Sequence, residues 1–377
     1  MVYLGLLGLA ALDAAGYAII APVVPAIAAE TQAGPAVMGA LVAMFAAGQL
    51  VAYPLAGRGI QRRHAGYVLW VALVLMVVGD LGFVLGEGLG VYFPARLLQG
   101  FGAGGLWLGV TFAVLERFPG QEYARMTGIL AAYSIGSIVG PGLGAIGGVR
   151  GPFLAHLALV LGAVVVVATL LGGPRERAVF TADRSALRTP AFWLGSAGIV
   201  LVAVGLATLD GPLPLHFATE LSQAEIAALY VAGAVLIGIA AALAGRAAPR
   251  PMLAASTVAV TAGIALAGLT GSVQPWLVAV GLVGIGLGIG ESGALGVLLE
   301  AIPPERMVTA MVVWSQLWAV GYLAAPVVAG GVAESLGFAA LGLVPLAASL
   351  LVAVGFLAAP APASRVPVPG TGPGPEE

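Results

Sequence analysis

The sequence predicts an all-α membrane protein, with twelve transmembrane helices forming two pseudo-symmetric six-helix bundles. Three observations carry that expectation. The 377 residues are 60% hydrophobic and 8% charged, with a mean hydropathy of +1.06, whereas a soluble domain carries about 25% charged residues. The apolar runs are continuous over the length a helix needs to cross a bilayer. A barrel strand would alternate apolar and polar residues instead, and the bilayer admits only helices and closed barrels. Finally, the second half repeats the first. LAALD (9–13) returns as LATLD (206–210) and LAGR (55–58) as LAGR (243–246). LERFP (115–119) returns as LEAIP (299–303), and GSIVGPGLGA (136–145) as GYLAAPVVAG (321–330). Two parallel repeats of six helices are a transporter layout.

Spans 1 to 6 are expected at 3–28, 36–57, 66–86, 91–115, 123–149 and 152–172, and spans 7 to 12 at 191–217, 224–245, 251–271, 275–299, 307–332 and 337–358. The bundles then occupy 1–172 and 191–358. A linker, 173–190, joins them, and the Pro- and Gly-rich tail 359–377 is expected to be disordered. The first apolar run has no basic stretch before it and no small-residue cleavage site after it, so it is expected to be a retained helix. With the N-terminus inside, all of the fifteen arginines except Arg96 and Arg150 fall on the inner side. That asymmetry places both termini in the cytoplasm of a multi-pass inner-membrane protein.

An ionisable side chain inside a span costs roughly 2.5–3.5 kcal/mol on insertion scales, so each is a functional candidate. Span 1 carries Asp13 near mid-membrane, with Tyr17 one turn on along the same face. A structural carboxylate, bonded to a neighbouring helix, is the alternative for Asp13. Span 3 carries Asp80 and span 4 Arg96, at comparable depth, so a direct ion pair between them is expected. Gly100, Gly104 and Trp107 follow Arg96 on roughly one face. An arginine cannot give up its proton, so Arg96 is a fixed charge: it either pairs statically with Asp80 or tunes Asp13.

Span 5 contains GSIVGPGLGA. Glycine and proline are poor helix formers, yet neighbouring helices can satisfy the freed backbone groups inside a membrane. Gly136, Gly140 and Gly144 recur every four residues and form a smooth stripe. Pro141 adds a kink. The expected partner is span 11 around Pro326, as part of the seam on which the bundles rock. His156 in span 6 and Trp193 in span 7 are expected at the membrane interface.

Span 7 ends in LDGPLPLHF (209–217). Pro212 and Pro214 interrupt its hydrogen bonding beside Asp210, and His216 is expected to be solvated. Span 10 holds Glu291 among glycines at 284, 286, 288, 290, 293 and 296, which make a thin helix. Span 11 repeats Trp314, Trp318 and Tyr322 every four residues with Gln316 nearby, a candidate aromatic wall for an organic cation. There is no Cys, which excludes disulfides and thiolate metal sites. No nucleophile–base pair or metal-ligand cluster stands out. No enzyme chemistry, metal or cofactor is expected, and topology accounts for the arginines without nucleic acid.

These motifs resemble the major facilitator superfamily, and within it the twelve-helix drug:proton antiporters. LDAAGYAIIAPVVP (12–25) is similar to the first-helix motif of tetracycline efflux pumps and vesicular amine transporters, with Asp13, Pro22 and Pro25 on its fixed positions. ARLLQGFGAGG (95–105) is similar to the fourth-helix motif through Arg96 and Gly100. GSIVGPGLGA resembles the antiporter motif G-x-x-x-G-P-x-x-G-G, with Ala145 in place of its last glycine. Asp80 matches a third-helix aspartate of the tetracycline pumps, and the surroundings of Asp210 and Glu291 resemble the vesicular amine transporters. The loop GRGIQRRHAG (57–66) departs from the superfamily pattern. Arg62 matches its gating arginine, but Gln61 replaces an aspartate.

The resemblance implies a monomeric, proton-coupled exporter of lipophilic, cationic drugs or amines, working by alternating access. Asp13, Asp80, Arg96, Asp210 and Glu291 would handle protons. Asp13, Tyr17, Trp107, Glu291, Trp314, Gln316, Trp318 and Tyr322 would line the substrate site. Gly136, Gly140, Pro141, Gly144, Pro326 and Arg62 would form the bearing and gate. Two alternatives stay open: uptake of a small polar nutrient, and a non-transporting receptor on the same fold. The chain has no Asn and only Gln49, Gln99 and Gln316 in its spans, too few polar groups for a sugar site. A receptor has no need of so many buried acids.

Overall fold

The computed structural model describes residues 1–62, 64–118, 121–171, 184–244, 248–302 and 304–358. The tail 359–377 and most of the linker 173–190, with the arginines they carry, lie outside the described residues, as does the side chain of Arg62.

The described residues form twelve helical spans. Spans 1 to 6 are Val2–Thr31, Pro35–Arg62, Ala65–Leu85, Leu89–Arg117, Glu122–Gly144 and Arg150–Val166. Spans 7 to 12 are Pro190–Phe217, Gln223–Ala244, Pro249–Leu269, Val273–Ala301, Pro304–Leu336 and Phe338–Ala358. Spans 1 and 7 are each broken near the far end. Span 1 turns at Ile19, because Pro22 has no N–H to give the carbonyl four residues back. Span 7 turns at Gly211–Pro212 before a last short helix, Leu213–Phe217, for the same reason.

The packing order repeats between halves. In the first half, span 5 packs on span 1, span 4 on spans 1, 2 and 3, and span 6 on span 3. In the second, span 11 packs on span 7, span 10 on spans 7, 8 and 9, and span 12 on span 9. Each half has its own apolar core. The largest contacts between them, span 2 with span 11 and span 5 with span 8, exchange under the same symmetry, and span 1 also meets spans 7 and 8.

Two sequence expectations change here. The glycine stripe of span 5 does not face span 11. A Cβ on Gly136 would lie 2.0 Å from the Ala11 carbonyl oxygen, one on Gly140 2.6 Å from that of Ala15, and one on Gly144 3.0 Å from Pro22. The stripe therefore beds span 5 onto span 1 of its own half. Span 11 meets span 2 instead: Gly39 lies against the Pro326 carbonyl and Gly330 against that of Pro35.

The second change concerns register. Gly321 packs on the Val200 carbonyl as Gly136 packs on that of Ala11. The packing repeat is thus 321 − 136 = 185 residues in one helix and 200 − 11 = 189 in the other. LAALD and LATLD are 197 apart, eight residues out of step, or about two helical turns. Asp210 is therefore not the counterpart of Asp13; position 13 + 189 = 202 holds Val202.

Candidate functional site

Asp210 sits at the centre of the seam, 3% exposed, on the last turn before the break in span 7. Its Oδ2 accepts the hydroxyl of Tyr17 from the other half at 3.0 Å and that of Tyr322 from span 11 at 2.8 Å. The two phenol rings meet edge to face, 5.3 Å between centroids. Trp318 stacks on Tyr322 at 5.0 Å and stands edge-on to Tyr17. Tyr230 of span 8 closes the far side by donating to the Leu209 carbonyl. Carboxylate, phenols and indole thus form one buried cluster drawn from both halves.

Behind Tyr17 runs a second buried chain. Arg96 donates through Nη2 to the Tyr17 carbonyl at 2.9 Å and through Nη1 to that of Gly16 at 3.0 Å. These are carbonyls of the last turn before the break in span 1, where helical partners run out. The guanidinium lies 4.4 Å over the Phe45 ring. Nη1 also reaches Gln99 Oε1 at 3.1 Å, Gln99 Nε2 donates to Asp80 Oδ1 at 2.6 Å, and His156 Nδ1 lies 2.8 Å from Asp80 Oδ2.

The expected Asp80–Arg96 ion pair is therefore not direct. The Gln99 amide stands between the charges, because a glutamine one turn from Arg96 on the same face can serve both. His156 is not at the interface either: it is 0% exposed and paired with Asp80. His216 is half-buried rather than solvated, stacked on Phe338 at 4.6 Å with Nε2 at the Thr270 carbonyl. Trp193 is 56% exposed.

The other candidate acids lie nearer the end that carries the chain termini. Asp13 is 2% exposed and makes no hydrogen bond among the described residues. The phenols within its electrostatic reach are Tyr53 and Tyr133. Glu291, half-buried on span 10, reaches the same Tyr133 from the opposite half. Trp107 stands edge-on to Tyr133 at 5.6 Å. Trp314 is buried with its indole N–H unpartnered, and Gln316 is half-buried. The structure thus separates the predicted site into two parts: a hydrogen-bonded cluster around Asp210, and an unpaired pair of acids flanking Tyr133. Sequence reasoning missed Gln99, His156, Tyr53 and Tyr133. The three-residue spacing of Arg96 and Gln99 was the available signal for the first.

Hydrogen bonds cross between the halves at Asp210 and at the end opposite the termini. There, Glu334 Oε2 accepts the Ala36 N–H at 2.9 Å. Gln223 accepts the Gly148 N–H at 2.9 Å and donates to the carbonyls of Gly144 at 2.8 Å and Gly148 at 3.0 Å.

The family model described as Major Facilitator Superfamily matches residues 6–248. The chain belongs to the Major Facilitator Superfamily. It is a multi-pass membrane protein of that transporter class and not an enzyme. Among curated relatives, it is 32% identical over 160 residues to "Multidrug resistance protein 2" of Bacillus subtilis, covering 41% of this chain and 40% of the relative. It is 25% identical over 233 residues to "Multidrug resistance protein 1" of the same organism, covering 59% and 60%. To the "Quinolone resistance protein NorA" of Staphylococcus aureus it is 27% identical over 165 residues, covering 43% and 42%. The matches thus span between two-fifths and three-fifths of these relatives' lengths. Two solved structures share the fold. A bacterial homologue of the human lysosomal transporter Spinster, inward-facing and unoccupied, matches with TM-score 0.68 at 15% identity over 94% of each chain. The nucleoside transporter NupG matches with 0.69 at 16% identity, covering 95% and 98%.

Proposed function

We propose that this superfamily member is a proton-coupled exporter of lipophilic, cationic small molecules, working by alternating access in the inner membrane with both termini cytoplasmic. The observation that carries the reading is Asp210, a carboxylate buried in the seam that holds phenols from both halves through one oxygen. Ionised, it accepts both hydroxyls and ties span 1 to spans 7 and 11. A proton on that oxygen removes an acceptor and loosens the tie. Such a group binds one half of the molecule more tightly in one protonation state than in the other, which is the condition for driving a conformational change. The relatives' names favour drugs over nutrients as cargo.

The arginine asymmetry supports a cytoplasmic termini-bearing end, which puts the Glu334 and Gln223 contacts between the halves on the outer side. Asp13 and Glu291, unpaired among the described residues, lie nearer that cytoplasmic end, with Tyr133 within electrostatic reach of both, Tyr53 near Asp13 and Trp107 edge-on to Tyr133. A cation would replace their missing counter-charge and stack on the aromatic faces.

The test is uptake of ethidium into inside-out proteoliposomes under an imposed pH gradient. Wild type accumulates the dye only while the gradient lasts. Asp210→Asn fixes the neutral form and abolishes gradient-driven accumulation, and Asp13→Asn and Glu291→Gln each weaken ethidium binding by about tenfold or more, since desolvated cation–π and counter-charge contacts are worth about 2 kcal/mol. Gradient-independent accumulation unaffected by all three changes overturns the reading.

A further inference from the structure

We infer that His156 is a positioning residue for the coupling acid of the opposite half: through Asp80, Gln99 and Arg96 it sets where Tyr17 presents its hydroxyl to Asp210. This rests on the reading of Asp210 above. The links are continuous. His156 Nδ1 is 2.8 Å from Asp80, Asp80 is 2.6 Å from Gln99, Gln99 3.1 Å from Arg96, Arg96 2.9 Å from the Tyr17 carbonyl, and the Tyr17 hydroxyl 3.0 Å from Asp210. All six residues are buried.

The turn that carries Tyr17 is held from two sides. Arg96 grips the carbonyls of Gly16 and Tyr17. Across that turn, His156 Nε2 lies 2.8 Å from where a Cβ of Gly16 would stand, so only glycine lets span 6 come so close. The turn sits immediately before the break at Ile19. Side chains from spans 4 and 6 brace it, in addition to the backbone bed that span 5 provides.

Arg96 is a permanent cation and Asp80 its counter-ion, relayed by the neutral Gln99 amide, and His156 Nδ1 lies within hydrogen-bond distance of the other Asp80 oxygen. The titratable and charged groups facing His156 are Asp80 from span 3 and Arg96 from span 4; span 1 faces it with backbone. Those facing Asp210 are Tyr17 from span 1, Tyr322 from span 11, Tyr230 from span 8 and, at longer range, Arg96 from span 4. The hydrogen-bonded route from His156 to Asp210 runs by way of Arg96 and Tyr17.

The chain has no cysteine, so a spin-label pair can be placed at Ile146→Cys and Ala218→Cys, exposed positions on opposite halves at the end away from the termini. The distance between labels in reconstituted protein is followed against pH without any substrate. Wild type shows a pH midpoint for separation of the halves, and Asp210→Asn abolishes it. Tyr17→Phe moves the midpoint up by about one unit, because the carboxylate loses a donor that favours its charged form. His156→Leu moves it in the same direction, His156→Gln, which keeps an N–H donor, restores it, and His156→Leu adds nothing on top of Tyr17→Phe. Should His156→Leu fail to fold, Gln99→Leu cuts the next link and gives the same shift. A purely structural role leaves the midpoint in place. If Tyr17→Phe shifts the midpoint while His156→Leu and Gln99→Leu do not, or if their shifts add in full to that of Tyr17→Phe, the inference is overturned and the reading of Asp210 stands. A wild type indifferent to pH overturns both.

Discussion

Both phenols at Asp210 donate to the same oxygen, Oδ2, so a single protonation event can release contacts to two helices at once. Arg96 presents the converse case, one cation spread over three acceptors. Its planar fork reaches two adjacent carbonyls and an amide together, which a lysine ammonium on a flexible stem cannot reproduce. Removing it strands Asp80 without its counter-ion in a buried site. Breaking one side of a buried pair costs about 3–5 kcal/mol, while replacing both sides by apolar groups is often near neutral. Arg96→Leu should therefore lower the melting temperature of the purified protein sharply, and Arg96→Leu with Asp80→Leu should recover most of the loss. Equal melting of the single and double variants would show that Gln99 does not couple the two charges. The acids and Arg96 were legible in the sequence because a charge in an apolar span violates the composition around it. Their partners were not. Gln99 and His156 carry no obligatory charge, and what they do depends on which helices the fold brings together.

At the level of helices, a stripe of small residues says that something approaches closely but not what. The apolar runs fixed the span limits to within a few residues because hydrophobic length is set by the bilayer. The identity of the helix against Gly136, Gly140 and Gly144 is a tertiary fact. It turned out to be span 1, at the very turns that carry Ala11, Ala15 and Ile19. The same limit explains the misplaced repeat: four matching letters of five at Asp13 and Asp210 outweigh, to the eye, a two-turn slip that only packing exposes. The corrected contact gives a sharp contrast within one motif. Gly140 has the Ala15 carbonyl, Ala18 and Ile19 within 3.0 Å of a modest Cβ, whereas Gly142 has open space. Overpacking typically costs about 1–3 kcal/mol, and more where backbone rather than side chain must move. Gly140→Leu should thus separate span 5 from span 1, lower thermal stability and disturb Tyr17 next door, while Gly142→Leu, two residues away, leaves both unchanged. Similar melting of the two variants would sink the assignment of span 1 as the partner.

For the molecule as a whole, the question is what ties the halves at the end away from the termini. Glu334 and Gln223 each cross the seam to backbone groups, and they stand on the two symmetry-related contacts, spans 2 with 11 and 5 with 8. Glu334 accepts from the first turn of span 2, where the unpaired N–H groups and the helix dipole favour a carboxylate. Gln223 satisfies both the amide and the carbonyl of Gly148, a residue whose positive φ of 63° presents them outward. Together they make four hydrogen bonds, each worth about 0.5–1.5 kcal/mol net. Even the lower figure sums to about 2 kcal/mol, comparable to the few kcal/mol that separate conformations in a working equilibrium. Both groups bind backbone, so the latch does not depend on the partner side chains, and substitution weakens it only at Gln223 or Glu334 themselves. Gln223→Ala with Glu334→Gln should therefore shift the Ile146→Cys/Ala218→Cys spin-label pair toward longer distances at a pH where the parent stays closed. Each single change should give an intermediate shift, since the two contacts are far enough apart to act independently. The Asp210 cluster is untouched by these changes, so the pH midpoint of the remaining transition should move only by the loss of closed-state bias, and the transition should still vanish in Asp210→Asn. A double variant that keeps the parent distance distribution would mean that apolar packing of Gly39 and Gly330 against the facing carbonyls closes this end unaided.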